Sequence, residues 1–376
     1  MRKLILFLLI LFLITSCTQK TKTDIPKSED IPLQERQPPV MPVSEEQPVR
    51  KDVEVIETNL KVPWEIAFLP TGEMIITERD GELVIFGKSQ VRIPIKDVFQ
   101  EEESGLMGMA LHPDFSYNNW IYLYYTSKPN SKFLNQVVRY KLFNNKLSEK
   151  KVIIEYIPGK EHHDGGRIAF GPDGYLYITT GDATNEESAQ DLNLLSGKIL
   201  RLKDDGAIPE DNPFNSAVYS YGHRNPQGLA WDDAGRLWAT EHGPSGAPPG
   251  YDEVNLIEKG KNYGWPDILG TQTRNGMVTS VINSGITDTW APAGMAFWNR
   301  RFFFGGLRGE SLYEAILQDD GSLVLKKHFT NKYGRIRAVV LGRDDYLYIS
   351  TSNLDGRGND REGDDKILKI NPEQFL

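Results

Sequence analysis

Apolar and polar residues alternate along this chain in short runs, and the runs come in pairs. Six segments share one signature: a small residue, an apolar pair, a turn, then an alternating apolar strand. They are WEIAFLPTGEMIITER (64–79), MGMALHPDF with IYLYYT (107–126), GRIAFGPDGYLYITTGD (166–182), QGLAWDDAGRLWATEHG (227–243), AGMAFWNRRFFFGGLRG (293–309) and RAVVLGRDDYLYISTSN (337–353). Period-2 alternation broken by a Gly/Asp turn, as at Pro172-Asp173-Gly174, predicts a β-hairpin in each. Alignment makes Ala67, Ala110, Ala169, Ala230, Ala296 and Val340 equivalent, at successive spacings of 43, 59, 61, 66 and 44 residues. Six hairpin units at that interval predict an all-β chain folded as a six-bladed β-propeller. A β-sandwich, the competing architecture, rarely keeps one hairpin signature six times. Val53–Thr58 and Lys366–Ile370 are read as strands that complete one blade together and close the ring.

The N-terminus follows a different pattern. Arg2 and Lys3 precede an unbroken apolar run from Leu4 to Ile14, 11 residues long. A membrane-spanning helix needs about 20, so residues 1–16 are read as an export signal. Small residues then lead into Cys17, the pattern of a bacterial lipobox, and Cys17 is the single cysteine of the chain. The expectation is an exported lipoprotein, cleaved before Cys17 and acylated on its sulfur, so the membrane is met through the lipid anchor alone. The other reading is a cleaved secretory signal with an incidental cysteine. Either way no intramolecular disulfide can form. Residues 17–50 are rich in Pro, Glu, Lys, Gln and Ser, a composition that favours a disordered tether. Residues 51–376 show no second linker, so they are expected to form a single repetitive domain.

The net charge of −9 argues against a nucleic-acid partner, which needs a basic surface. It leaves room for a local basic pocket, and the repeat phase places one. With the equivalent alanine as position zero, residues near −5 to −7 and near +12 to +14 fall at one mouth of the ring. Those positions hold Glu103, His163, Arg224, Asn225 and Arg335 before the strands, with Arg337 at −3. After the return strands come Asp182, Gly243, Pro244, Arg308 and Asn353. Four arginines in one repeat phase suit a small, multiply anionic ligand. Pairing of individual arginines with loop carboxylates is the alternative.

The six histidines (His112, His162, His163, His223, His242 and His328) show no HExxH or paired His/Cys spacing, which argues against zinc. His163 stands apart, because Gly165-Gly166 leave room beside it and Asp182 lies in the same blade. An imidazole oriented by a carboxylate is a general base worth about 10²–10⁴-fold in rate. A satisfied structural Asp–His pair is the other reading.

Several segments carry a family resemblance: PWEIAFLPTGEMIITERDG (63–81), GLMGMALHPDF (105–115), HDGGRIAFGPDGYLYITTGDA (163–183), GHRNPQGLAWD (222–232), EHGP with DEVNLIEKGKNYGWPD (252–267), and GRIRAVV (334–340). Over 55–371 the chain resembles the glucose/sorbosone dehydrogenases, which oxidise aldoses with pyrroloquinoline quinone (PQQ) and calcium. The resemblance implies that His163 takes the proton of the sugar C1 hydroxyl, with Asp182 orienting it. It implies that Arg224 and Asn225 lie against the quinone oxygens. Arg308, Arg335 and Arg337 would pair with the PQQ carboxylates, and the carbonyls of Gly243 and Pro244 would hold the calcium. The electron acceptor is not identified by the sequence; a quinone and a cytochrome are candidates.

The chain departs from the family pattern in places. Glu103 stands where a glutamine touching the cofactor is usual, and Arg308 where a lysine is. His162 replaces an aspartate of the glucose-specific members. Extra residues at 245–251 precede Glu253 and Tyr263, the expected place of a second, structural calcium. Two other functions compete. A calcium-dependent lactonase-type propeller has no use for the arginine cluster. A non-catalytic glycan- or protein-binding propeller has no use for His163 with Arg224, Asn225 and Arg335/Arg337.

Overall fold

The computed structural model describes residues 51–244 and 250–376. The export signal, Cys17, the tether and most of the inserted stretch lie outside these residues. Among the described residues, 24 strands form six antiparallel sheets of four, the six blades of a propeller. Helix is confined to one turn at Phe115–Asn118 and short 3-10 segments.

The blades begin with the strands Pro63–Phe68, Leu106–Leu111, Ile168–Phe170, Pro226–Trp231, Pro292–Trp298 and Ile336–Leu341. The strand of blade 1 packs against those of blades 2 and 6, which closes the ring. Every aligned alanine, and Val340, sits in one of these strands. Across the hairpin it pairs with a large residue: Ala110 with Tyr122, Ala169 with Tyr177, Ala230 with Trp238, Ala296 with Phe303, Val340 with Tyr348. Strands converge near the axis, so the innermost position takes a small side chain and the next strand a bulky one. Blade 6 is completed by the N-terminal strand Val53–Glu57, antiparallel to Ile367–Ile370, as expected.

Alternation serves a purpose that the pattern alone does not disclose. Each blade is covered on both faces, so odd and even residues of a strand enter different cores. Ile121, Leu123 and Tyr125 pack toward blade 1, whereas Tyr122 and Tyr124 pack toward blade 3. In blade 1, Ile75 and Ile85 face blade 2 while Ile76 and Val84 face blade 6. A one-residue slip would exchange two cores, which fixes the register.

Five of the six inner strands carry a β-bulge toward one end, at Pro63/Glu65, Leu106/Met109, Pro226/Gly228, Pro292/Met295 and Ile336/Val339. A side chain on Gly108 would run into the Gly166 carbonyl, and one on Gly228 into Thr240 and the Ala293 carbonyl. Glycine there lets neighbouring strands approach closely. Bulges re-aim the residues before them, and those residues build the site.

Candidate active site at one mouth of the propeller

A cavity of about 620 Å³ opens at the mouth that the repeat phase singles out. Glu103, His163, Arg224, Gly243, Pro244, Arg308, Arg335 and Arg337 all line it. Asp182 and Asn225 stand behind that wall, fully buried, and hold its members in place.

His163 Nδ1 lies 2.8 Å from Asp182 Oδ1, and its Nε2 lies 2.9 Å from Arg224 Nη2. Asp182 only accepts and Arg224 only donates. The consistent tautomer therefore carries hydrogen on Nδ1 and a lone pair on Nε2. Asp182 is itself fixed, with Trp265 Nε1 donating to Oδ2 at 2.9 Å and the Thr184 N–H to Oδ1 at 2.8 Å. An orienting acid behind the ring and a basic nitrogen toward the cavity is the arrangement of a general base.

Arg224 is buried over the Trp265 ring at 5.4 Å, and burial lowers its pKa from the usual guanidinium range. Its own N–H is bonded to Glu241, which also receives His223 Nδ1 at 2.8 Å. Asn225 Oδ1 accepts the Gly165 N–H at 2.9 Å, while Nδ2 is buried without a partner among the described residues. A buried amide left unsatisfied costs roughly 1–3 kcal/mol, so it marks a place where a ligand oxygen would be stabilised.

The arginines of the opposite wall differ among themselves. Arg335 makes two bonds to Asp355 Oδ2, from Nε at 2.9 Å and Nη2 at 2.8 Å, and a third to the Leu307 carbonyl at 3.2 Å. Arg337 lies 3.6 Å from the same oxygen, and burial lowers its pKa to about 9. Arg308 is exposed and has no hydrogen bond or ion pair among the described residues. Arg308 thus offers an open cation and Arg337 a poorly solvated one, and both are suited to a ligand carboxylate. Asn353 is not a lining residue; its Oδ1 accepts the Arg335 N–H at 2.9 Å and so positions that backbone.

Glu103 carries the charge that needs explaining. Its Oε1 lies 2.7 Å from Arg357 Nη1, and its Oε2 accepts the His163 N–H at 3.3 Å. Burial alone would raise this carboxyl, but Arg357 and the neighbouring His242 and His163 outweigh it and hold it below the usual range. The negative charge is therefore compensated within the protein.

Gly243 and Pro244 reach the cavity at the edge of the inserted loop, and the Gly243 N–H is tied to Asp252 Oδ1 at 2.9 Å. The other Asp252 oxygen accepts the N–H groups of Trp290 at 2.6 Å and Ala291 at 3.0 Å. Glu253 and Tyr263 line a separate small cavity beside this one, with Glu241. Glu241 and Glu253 are direct cross-strand partners, and burial followed by the charge of Glu241 pushes Glu253 up to about 8. The Tyr263 hydroxyl is engaged, donating to the Leu256 carbonyl at 2.6 Å and accepting the Glu258 N–H at 2.8 Å. Among the described residues no group of three or more His, Cys, Asp or Glu side chains is arranged to hold a metal. Calcium at the main cavity would accordingly rest on main-chain oxygens such as those of Gly243 and Pro244, which suit this hard cation, together with oxygens of a bound ligand.

Sequence reasoning missed Arg79, Asp252, Asp355, Arg357 and Trp265. Arg79 was within reach of the same rule: it lies twelve residues after Ala67, in the phase of Arg308 after Ala296, and it lines the cavity. Asp355 and Arg357 sit on an irregular loop, where a repeat-based argument has no purchase.

Comparison with known proteins identifies the family and supports the fold. The family model described as Glucose / Sorbosone dehydrogenase matches residues 60–361. The aldose sugar dehydrogenase YliI of Escherichia coli is 33% identical over 363 residues, covering 86% of this chain and 94% of that protein. Quinoprotein glucose dehydrogenase B of Acinetobacter calcoaceticus is 35% identical over 281 residues, covering 63% of this chain and 58% of its own length. The PQQ-bound aldose sugar dehydrogenase of Streptomyces coelicolor superposes with a TM-score of 0.78 at 37% identity, covering 84% of this chain and 97% of that one.

Proposed function

The chain belongs to the glucose/sorbosone dehydrogenase family, quinoprotein aldose dehydrogenases among the oxidoreductases, and from that premise we propose that it oxidises aldoses at C1 to lactones with PQQ and calcium. The observation that carries the reading is His163, whose Nε2 lone pair faces a cavity walled by arginines while Asp182 holds Nδ1. PQQ, when bound, supplies the two-electron acceptor that takes hydride from C1. His163 Nε2 takes the hydroxyl proton, and the imidazolium that results is stabilised by Asp182. Arg224, turned from Nε2, and Asn225 Nδ2 supply donors for quinone oxygens. Arg308 and Arg337 would hold carboxylates of the cofactor, with Arg335 kept in line by Asp355. Gly243 and Pro244 would present their carbonyls to calcium, and Asp252 orients that turn. A second calcium at Glu253 would relieve the repulsion from Glu241.

The family's binding-only alternative has no use for an oriented base. His163→Gln is the test: turnover should fall about 10²–10⁴-fold while PQQ still binds. A variant that kept full activity would show that the base lies elsewhere. Export and acylation at Cys17 complete the proposal, and failure of the full chain to incorporate labelled palmitate would remove that part.

A further inference from the structure

We propose that Glu103 and Arg357 are positioning residues, which pin the backbone of His163 so that its ring meets Asp182 and the cavity together. This rests on the reading of His163 as the base.

His163 adopts φ +62°, in the left-handed region. Non-glycine residues are uncommon there, although histidine is one of those enriched, and one stays there when its surroundings over-determine the position. Four contacts do so. The ring is held by Asp182 and Arg224, the carbonyl accepts the Ala183 N–H at 3.1 Å, and the N–H donates to Glu103 Oε2 at 3.3 Å. Among the described residues, Glu103 is the one side chain that grips the His163 main chain.

Glu103 is well placed for this. Its N–H donates to the Glu161 carbonyl at 3.0 Å, and Ser104 Oγ donates to the Lys160 carbonyl at 2.9 Å. The loop before blade 2 is thereby stitched along the loop that carries His163. Arg357 reaches over from the closing blade. One of its amines holds Glu103 Oε1, the other lies 3.3 Å from His162 Nδ1, and its own N–H is bonded to Asp355 Oδ1 at 3.0 Å. Contacts therefore run unbroken from the anion-binding arginines through Asp355, Arg357 and Glu103 to the base. A carboxylate at this position needs a counter-cation, and Arg357 supplies it.

The experiment uses the full chain loaded with PQQ and calcium, in wild type, E103A, E103Q and R357Q, with folding checked by thermal melting. PQQ affinity is read separately, from quenching of tryptophan fluorescence. Misplacing a base by about 1 Å costs roughly 10²-fold, so E103A should lower kcat about 10–100-fold. The sugar KM should stay within about threefold, and the PQQ Kd should not rise, because the substitution frees Arg357 and removes no donor to an anion. E103Q, whose carbonyl still accepts the His163 N–H, should recover most of the lost kcat. R357Q, a change at a half-exposed residue that leaves the core untouched, should lose kcat in the same sense and carries the test if E103A does not fold. The proposal is overturned if E103A keeps wild-type kcat, if its loss is restored by saturating PQQ, or if E103Q does no better than E103A. Should wild type show no PQQ-dependent turnover, the reading of the base fails instead. A crystal structure of E103A then decides the positioning claim alone: His163 still left-handed and on Asp182 would refute it.

Discussion

Asp355 is the hinge of the arginine wall, and replacing it by asparagine removes its charge at constant shape. Its Oδ2 receives Arg335 twice, Ser352 Oγ at 3.0 Å, and the approach of Arg337 at 3.6 Å. All three side chains are buried. In D355N, two guanidinium groups remain in a poorly solvated wall with Arg79 near them. Removing one partner of a buried ion pair costs about 3–5 kcal/mol. Unfolding entropy near 2.1 cal/mol/K per residue makes about 0.7 kcal/mol/K for a domain of this size. The melting temperature of the ligand-free protein should therefore fall by about 4–7 °C in a calorimetric scan. The cations released by the substitution become available to an anionic ligand. PQQ should then raise the melting temperature of D355N by more than that of wild type at equal concentration. A drop within about 1 °C, or a smaller PQQ response in the variant, would refute the view that Asp355 holds this wall in trust for ligand carboxylates.

Other outcomes follow from the same contacts. Asp182→Asn should cost about 10²–10⁴-fold in kcat with little change in KM, since the imidazolium loses the negative charge that stabilises it; an equal rise in KM would point to a binding role instead. Burial pushes the Asp164 carboxyl up from 3.8 to about 7, with one oxygen accepting from Asn135 at 2.8 Å and Lys160 at 3.0 Å. The folded state then binds a proton that the unfolded chain has already released, so this group's contribution to stability declines as pH rises from about 4 to about 7. D164N, neutral throughout, should melt above wild type at pH 8 but not at pH 4, and parallel melting curves against pH would contradict the assignment. Deletion of residues 51–58 should lower the melting temperature and promote self-association by baring the Ile367–Ile370 edge; light scattering and calorimetry unchanged from wild type would mean that the closing strand is dispensable.

The repeat in the sequence determined most of the architecture. A hairpin signature recurring six times, with a small residue at its innermost position, leaves few folds besides a ring of blades, because only a ring returns the same neighbour to every unit. Repeat phase also brought His163, Arg224, Gly243, Arg308 and Arg337 to one mouth, since equivalent positions of equivalent blades must share a height along the axis. What that reasoning could not reach is how charges divide among partners. Arg335 is held by Asp355 while Arg308 has no partner among the described residues, and Glu103 is neutralised by Arg357, 254 residues away. Asn225 braces Gly165 with its oxygen, and among the described residues its nitrogen has no partner. Those pairings depend on loops without a repeat and on contacts across the ring. A one-dimensional pattern specifies which face a residue takes; only the closed tertiary structure decides which charge it meets there.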